Sequence, residues 1–374
     1  MAPDIETVAK NSESLEKDTS DSTRLMLNDN FKEMFMKFED GSSYPEYLPY
    51  YANTDKWPQL ELFDHVDPAS RADKSKSNLL KNAETQDLTP YIGTVVEGVQ
   101  ISQLSKEGLD ELALFTAERK LLLFRDQDFK DIGPKRQVEI GRHYGSLHTH
   151  PTAAHVKGHT ELAVVYRDAK HNPYKDLYTA SNRLTKLSWH SDVSYERQPP
   201  STTFFWSLDQ PDVGGDTLYV SMVEAYNRLS PEFQEVLQGL RAVHSGVRQA
   251  EHMRNQGAPV RREPPETEHP VVRVHPVTGE KSLYINQGFT RRIVGFKDEE
   301  SDTLLKFLYD HIAKGADFQV RATYKPGTVI VWDNRLVCHS AVSDFDPNLR
   351  RHAIRLTPQG EAPIPAIVFS KSKM

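Results

Sequence analysis

The chain has 374 residues, 37% of them hydrophobic, and its 46 Lys and Arg against 53 Asp and Glu leave a net charge of −7. That balance offers no basic surface for a nucleic-acid backbone, although it leaves room for a local basic pocket around a small anion. The single cysteine, Cys338, excludes an intramolecular disulfide, a cysteine-rich zinc site and an iron–sulfur cluster, and no stretch approaches the ~18 consecutive apolar residues of a membrane span.

In chain order, residues 1–45 form a polar extension rich in Ser, Asp, Glu and Lys, expected to be disordered over roughly its first 20 residues. Its acidic start matches neither a secretory signal nor a mitochondrial transit peptide, which points to a cytoplasmic protein. Met26, Phe31, Met34, Phe35 and Phe38 then suggest a short amphipathic helix. Residues 46–87 are rich in Tyr, Pro, Asp and Ser without a sustained period and read as an irregular wrapping segment. From 88 to 360 strands and helices alternate in one main domain. Gly108 to Lys120 places Leu109, Leu112, Leu114 and Phe115 on a helical face, followed by the buried-strand candidate Leu121 to Phe124. Ser230-Pro231 opens a helix with serine as N-cap, and Phe233, Val236, Leu237 and Leu240 form its core-facing stripe.

Residues 298–314 predict another helix. Strands are expected at Thr202–Leu208, Thr217–Val220, Val271–Val274, Ser282–Asn286, Phe318–Tyr324, Thr328–Trp332 and His352–Thr357, with Gly214-Gly215-Asp216 and Lys325-Pro326-Gly327 supplying turns. The stretch from Gln249 to His269, with Arg254, Arg261 and Arg262, reads as a long loop, either a lid or an interface. Residues 361–374 form a C-terminal tail, whose Ser372-Lys373-Met374 differs at one position from the Ser-Lys-Leu peroxisomal address. Many short strands and few helices predict a mainly β fold with flanking helices, a sandwich or jelly roll. No glycine-rich loop precedes a helix, so Rossmann and P-loop folds are excluded.

The chain contains 15 histidines, so context matters more than number. In Leu187 to Tyr195, which suits a strand, His190 and Asp192 fall on one face. An imidazole and a carboxylate so placed can take adjacent positions on one metal. A third ligand from a distant strand then completes a facial set with open positions, a geometry suited to non-haem Fe(II). The spacing alone is weak, because His65-Val66-Asp67 repeats it and His159-Thr160-Glu161 matches it loosely. His339, beyond Thr328–Trp332 and Asp333-Asn334-Arg335, is the candidate third ligand. Arg351, Ala353, Arg355 and Thr357 share one strand face, either an anion site or the charged outer face of an edge strand.

Four motifs together resemble the taurine dioxygenase family: Trp189-His190-Ser191-Asp192-Val193, Gly214-Gly215-Asp216-Thr217, Trp332-Asp333-Asn334-Arg335 with His339, and Arg351 with Arg355. These are Fe(II)/2-oxoglutarate-dependent oxygenases built on a double-stranded β-helix, a cupin-like jelly roll. The resemblance spans residues 88–360, and the N-terminal extension with His275 to Lys281 is most similar to the fungal sulfonate dioxygenase branch. It implies that His190, Asp192 and His339 are the catalytic iron ligands. It also implies that Arg355 pairs with the distal carboxylate of 2-oxoglutarate, that Thr217 donates its hydroxyl there, and that Arg351 lies nearby.

The same resemblance places the anionic group of the substrate on His150, in His148-Thr149-His150-Pro151, and on the backbone N–H of Val193. Taurine enzymes carry an aromatic three positions after that histidine; this chain has Ala153, which suggests a larger or differently shaped substrate. The cluster of His148, His150 and His155 stays open to two other readings, a second metal site or surface histidines, and Phe289 to a substrate wall or core packing. With Fe(II), 2-oxoglutarate and O2, the family hydroxylates a carbon near an anchored anion and forms succinate and CO2. On a sulfonate-bearing carbon the product collapses to an aldehyde and sulfite. Asp192 favours hydroxylation, since related halogenases leave that coordination position to halide. Three readings follow: a dioxygenase acting on an aliphatic sulfonate, the same chemistry on an amino acid or other carboxylic acid in secondary metabolism, and a non-catalytic anion-binding barrel. The expected partner is a small anion, not nucleic acid or membrane, and family members of this form often associate as homo-oligomers.

Overall fold

A computed structural model of the chain describes residues 42–51, 55–171, 188–346 and 348–367. The expected disordered start, the helix over 26–38 and the terminal tripeptide lie outside these residues. The described strands are β1 (Glu84–Asp87), β2 (Thr94–Glu97), β3 (Leu121–Phe124), β4 (His155–Val156), β5 (His159–Arg167), β6 (Thr202–Asp209), β7 (Thr217–Ser221), β8 (Arg241–Ser245) and β9 (Glu266–Pro270). They continue as β10 (Val272–Val274), β11 (Lys281–Leu283), β12 (Thr290–Ile293), β13 (Gln319–Ala322), β14 (Val329–Asp333), β15 (Val337–Ala341), β16 (Arg351–Leu356) and β17 (Ile364–Pro365). The helices are α1 (Ser77–Leu80), α2 (Lys106–Arg119), α3 (Gly133–Arg142), α4 (Met222–Asn227), α5 (Pro231–Gln238), α6 (Val247–Asn255) and α7 (Asp298–Lys314).

An eight-stranded sheet runs β1-β2-β3-β14-β6-β16-β5-β4, and three-stranded sheets run β13-β7-β15, β12-β8-β9 and β11-β10-β17. Period-two alternation sorts the large sheet's side chains. Val329, Val331, Phe204, Trp206, Ile354 and Leu356 pack outward with α2 and α3. Ile330, Trp332, Phe205 and Ala353 face inward onto Tyr219, Val320 and Val337 of the β13-β7-β15 sheet. Cys338 and Val220 on that sheet's other face meet Leu305, Leu308 and Ile312 of α7. The result is the jelly roll the strand pattern predicts: the eight-stranded sheet faces β13-β7-β15, with helices outside both. Each fully buried large side chain in these layers contributes about 1.5–3 kcal/mol by leaving water. The inward face of β16 therefore carries Arg351 and Arg355 beside Ala353, which settles the earlier choice: they face the interior, not an outer edge.

Several expectations change. Of the expected strand over 187–195, the described part, 188–195, is not a strand: His190 forms one bridge with His339 and a turn follows over 192–195. The Asn334 side chain takes the Asp192 backbone from both sides, accepting from its N–H at 2.8 Å and donating to its carbonyl at 3.1 Å, so no ladder continues. Ser230 does cap α5, accepting from Phe233 N–H at 3.3 Å, but of the expected stripe only Leu237 is buried and Val236 is 55% exposed. The expected loop from Gln249 to His269 contains most of α6 and the first part of β9. Arg261 and Arg262 within it are buried, and Arg262 donates to the Thr149 carbonyl at 2.8 Å. The chain beyond residue 360 is tied in through Glu361, which accepts from Arg273 at 2.5 Å, and through β17 alongside β10.

Candidate active site

His339 lies on the inward face of β15, opposite Tyr219 in the register, with the Trp332 and Tyr219 rings against its imidazole. His190 is paired to it directly: His190 N–H donates to the His339 carbonyl at 3.0 Å, and His339 N–H returns the bond at 2.8 Å. Two residues on, with its backbone held by Asn334, Asp192 turns its carboxylate back to the same point. Its Oδ1 stands 3.6 Å from His190 Nε2 and 3.7 Å from His339 Nε2. Thus a bridge and a side-chain clamp achieve what a continuous strand was expected to do.

The donor set suits a hard to borderline divalent cation. His190 Nδ1 lies 2.8 Å from the Ser188 carbonyl, which fixes Nδ1–H and leaves Nε2 as the free lone pair. Burial, with His190 beside it, pushes His339 down to about 3, so its imidazole is neutral at physiological pH. Burial alone would raise the Asp192 carboxyl, but Arg355 and the two imidazoles hold it far below the usual range. Its Oδ2 is buried without a hydrogen-bond partner, and a buried unpaired carboxylate oxygen is costly unless something binds it. These residues fit an Fe(II) ion.

Beside this triad lies a cavity of about 470 Å3 lined by His150, Ala153, Phe289, Arg351 and Arg355 together with His190. His150 Nδ1 accepts backbone N–H groups from Thr152 at 3.3 Å and Ala153 at 3.1 Å. Burial and then Arg355 push its pKa well below the ordinary value. A neutral imidazole whose Nδ1 accepts must carry its proton on Nε2, so His150 offers a fixed N–H donor. Behind it, His148 contacts Glu196 at 3.0 Å and Arg262 at 3.3 Å, a buried brace rather than a second metal site. His155 belongs to the β4 edge, with Nδ1 at 3.0 Å from the Val156 carbonyl.

Val193 adopts φ +39, uncommon and strained for a β-branched residue. No acceptor for its N–H appears among the described residues. Phe289 is both wall and core: it lines the cavity, stands 6.1 Å from the His190 ring and packs on Tyr195 at 5.0 Å.

The two arginines divide. Arg355 Nη1 donates to Asp192 Oδ1 at 2.5 Å. Arg351 lies 5.6 Å over the rings of Phe205 and Tyr324, and Tyr324 Oη is 2.8 Å from Thr217 Oγ1. Tyr324 thus links Thr217 to Arg351. The turn that delivers Thr217 needs glycines, with φ +84 at Gly214 and +72 at Gly215, and the Gly215 carbonyl accepts from Arg351 Nε at 3.2 Å. Sequence reasoning missed Tyr324, whose only signal was a strand end, and the clamp role of Asn334, which stood inside a quoted motif without a task.

A jelly roll presenting two imidazoles and a carboxylate to a cavity lined by arginines defines a non-haem metal oxygenase frame. The family model described as taurine catabolism dioxygenase TauD, TfdA family, matches residues 84–357. An alpha-ketoglutarate-dependent sulfonate dioxygenase of Saccharomyces cerevisiae is 42% identical over 337 residues, covering 89% of this chain and 81% of the relative. The alpha-ketoglutarate-dependent dioxygenase cnsP of Penicillium expansum is 47% identical over 338 residues, 88% of this chain and 90% of the relative. The crystal structure of a taurine dioxygenase from Burkholderia xenovorans superposes with a TM-score of 0.61 at 28% identity, covering 76% of this chain and 93% of that one. The chain belongs to the TauD/TfdA family and is a 2-oxoglutarate-dependent dioxygenase.

Proposed function

We propose that the protein oxidises the sulfonate-bearing carbon of an aliphatic organosulfonate. The observation that carries this is that His150 and Arg355 line the cavity beside the triad; the His150 Nε2–H and the Arg355 guanidinium are the proposed anion donors, with the Val193 N–H as a third. His190, Asp192 and His339 would hold Fe(II), which supplies the reaction of O2 with 2-oxoglutarate when bound. Arg351, with the Thr217 hydroxyl, holds the distal carboxylate of 2-oxoglutarate, and Arg355 is turned to Asp192 and the substrate anion. This revises the division of roles that the resemblance implied. The donors hold the sulfonate so that its α-carbon C–H faces the metal, and fixed position is the protein's main contribution to rate.

The chemistry balances. One oxygen atom of O2 enters succinate as CO2 leaves 2-oxoglutarate, and the other converts the C–H bond to C–OH. The α-hydroxysulfonate then loses its C–S bond pair as hydrogensulfite while the hydroxyl proton leaves, giving an aldehyde. The relative in Saccharomyces cerevisiae, named a sulfonate dioxygenase, supports this substrate class.

The experiment is anaerobic reconstitution with Fe(II), then O2, measuring succinate and sulfite across panels of sulfonates and amino acids. Sulfite formed in step with succinate is the expected result. Succinate coupled to an oxidised amino acid, without sulfite, moves the protein to carboxylic-acid substrates; no coupled succinate with any substrate leaves only an anion-binding barrel.

A further inference from the structure

The cavity has a second cationic region that the chemistry at His190, Asp192 and His339 does not use. Arg248, near the start of α6, and Arg291, in β12, both line it. Arg291 is half-buried and fixed by backbone carbonyls alone: Nη2 donates to Gly288 at 2.8 Å and Ser245 at 3.0 Å, and Nη1 to Thr290 at 3.2 Å. Carbonyls orient a guanidinium but do not neutralise it. Gly288 itself presses on the triad, since a Cβ there would stand 2.8 Å from His190 Cβ. Arg291 is thus anchored to the residue that abuts a metal ligand.

Neither arginine forms a salt bridge among the described residues. Burial and then the charge of Arg248 lower the Arg291 pKa, with Tyr309 and Glu266 offsetting part of that. His252, on the next turn of α6, also lines the cavity, and its Nε2 is buried without a partner. Two like charges held against one cavity repel, and an anion between them removes that cost.

We propose that Arg248 and Arg291 select a second anionic group on the substrate, so that the preferred class is an organosulfonate with a carboxylate at the far end of its chain. This rests on the sulfonate reading above. Ala153 agrees with it, because a ring at that cavity position would occupy space that a longer, doubly charged substrate needs.

The test compares sulfite release, as kcat/KM, from ω-sulfocarboxylates, unsubstituted alkanesulfonates and ω-aminosulfonates of matched length, using the full iron-loaded chain and Arg248→Gln and Arg248→Glu. Arg248 is exposed and its side chain makes no hydrogen bond among the described residues, so these variants are expected to fold, whereas Arg291→Gln removes three carbonyl contacts and serves as the second variant. The carboxylate-tailed series is expected to lead the unsubstituted one by about tenfold or more, the scale of one hydrogen bond to a charged group. Arg248→Gln should shrink that ratio, and Arg248→Glu should turn it toward the amine-tailed series. Equal kcat/KM for the first two series in the wild type, or a preference that none of the variants moves, overturns the arginine-pair inference and leaves sulfonate oxidation standing. Sulfite from no series overturns the sulfonate reading and this inference together.

Discussion

At His190-Ser191-Asp192 with His339, and again at His65-Val66-Asp67 with Glu361, donor atoms from a His-x-Asp pair and a distant residue come within 4.8 Å of one another. Around the second group every carboxylate oxygen has a partner. Arg335 donates to Asp67 at 2.5 Å and Glu361 at 3.1 Å, Arg273 takes the other Glu361 oxygen at 2.5 Å, and Asp67 Oδ1 accepts Ala69 N–H at 2.8 Å. Arg335 also grips Asp333 through two bonds of 2.6 and 2.9 Å, with His275 on the same carboxylate at 3.1 Å. At the first group, one arginine meets one oxygen of Asp192 and the other oxygen has nothing. Arginine forks and divalent cations compete for the same lone pairs, so the residues that decide between an ion-pair cluster and a metal site lie outside the His-x-Asp pattern.

The contrast breaks most sharply at the two aspartates. Asp192→Ala is expected to abolish hydroxylation, followed as substrate-dependent succinate; full retained turnover removes Asp192 from the ligand set. Asp67→Ala is expected to leave turnover per folded molecule intact but to cost about 3 kcal/mol in urea unfolding, since it strips a partner from the buried Arg335. Loss of activity in Asp67→Ala at unchanged stability would reverse the roles of the two regions. Chelation followed by Fe(II) titration sharpens the same point. A single bound ion that persists in His65→Gln and disappears in His339→Ala is the expected pattern.

Much of the fold was legible because β6, β14 and β16 are alternating or continuous apolar runs bounded by Gly, Pro and Asp turns, and such runs declare a sheet locally. The triad was legible through motif order. What failed was local structure decided at long range. The strand expected through Asp192 is cut by a side chain 142 positions away, Asn334, and nothing in residues 187–195 signals that. Val236 stays on an exposed groove wall because α7 does not close over all of α5, and helical spacing fixes which residues share a stripe but not whether a neighbour covers it. The link from Thr217 to Arg351 was hidden too: both arginines face inward, and it runs through Tyr324, just past β13, which bonds Thr217 and lies under Arg351.

The proposed division of roles between Arg351 and Arg355 gives the next prediction. Arg351→Lys is expected to raise KM for 2-oxoglutarate by about tenfold to a hundredfold, since lysine cannot match a carboxylate with two parallel bonds. Arg355→Lys is expected to raise the sulfonate KM more than the 2-oxoglutarate KM. If the two variants exchange these effects, Arg355 holds the distal carboxylate after all.

The smallest effect separates the regions by pH. In the ion cluster, burial would raise Asp67 and Asp333, but Arg335 holds both below the ordinary aspartate range, so their contribution survives until strongly acid pH. Acid sensitivity at milder pH must come from buried imidazoles. His352, with Nε2 on the Tyr47 carbonyl at 2.9 Å, is pushed down from 6.5 to about 4 by burial. His269 is lowered from 6.5 to about 4 for the same reason. Their folded pKa values lie below the unfolded ones, so the unfolded chain takes up protons first. Stability is complete above 6.5, falls as pH drops below it, and levels off once the folded value near 4 is passed. For His352 alone the loss is about 2 kcal/mol near pH 5. His352→Gln keeps an N–H donor for the Tyr47 carbonyl without the titration, so its urea midpoint should fall less than the wild type's between neutral pH and pH 5. Equal falls remove His352 as the titrating group, and a wild-type midpoint that holds steady until pH 4 returns the acid sensitivity to the Arg335 cluster.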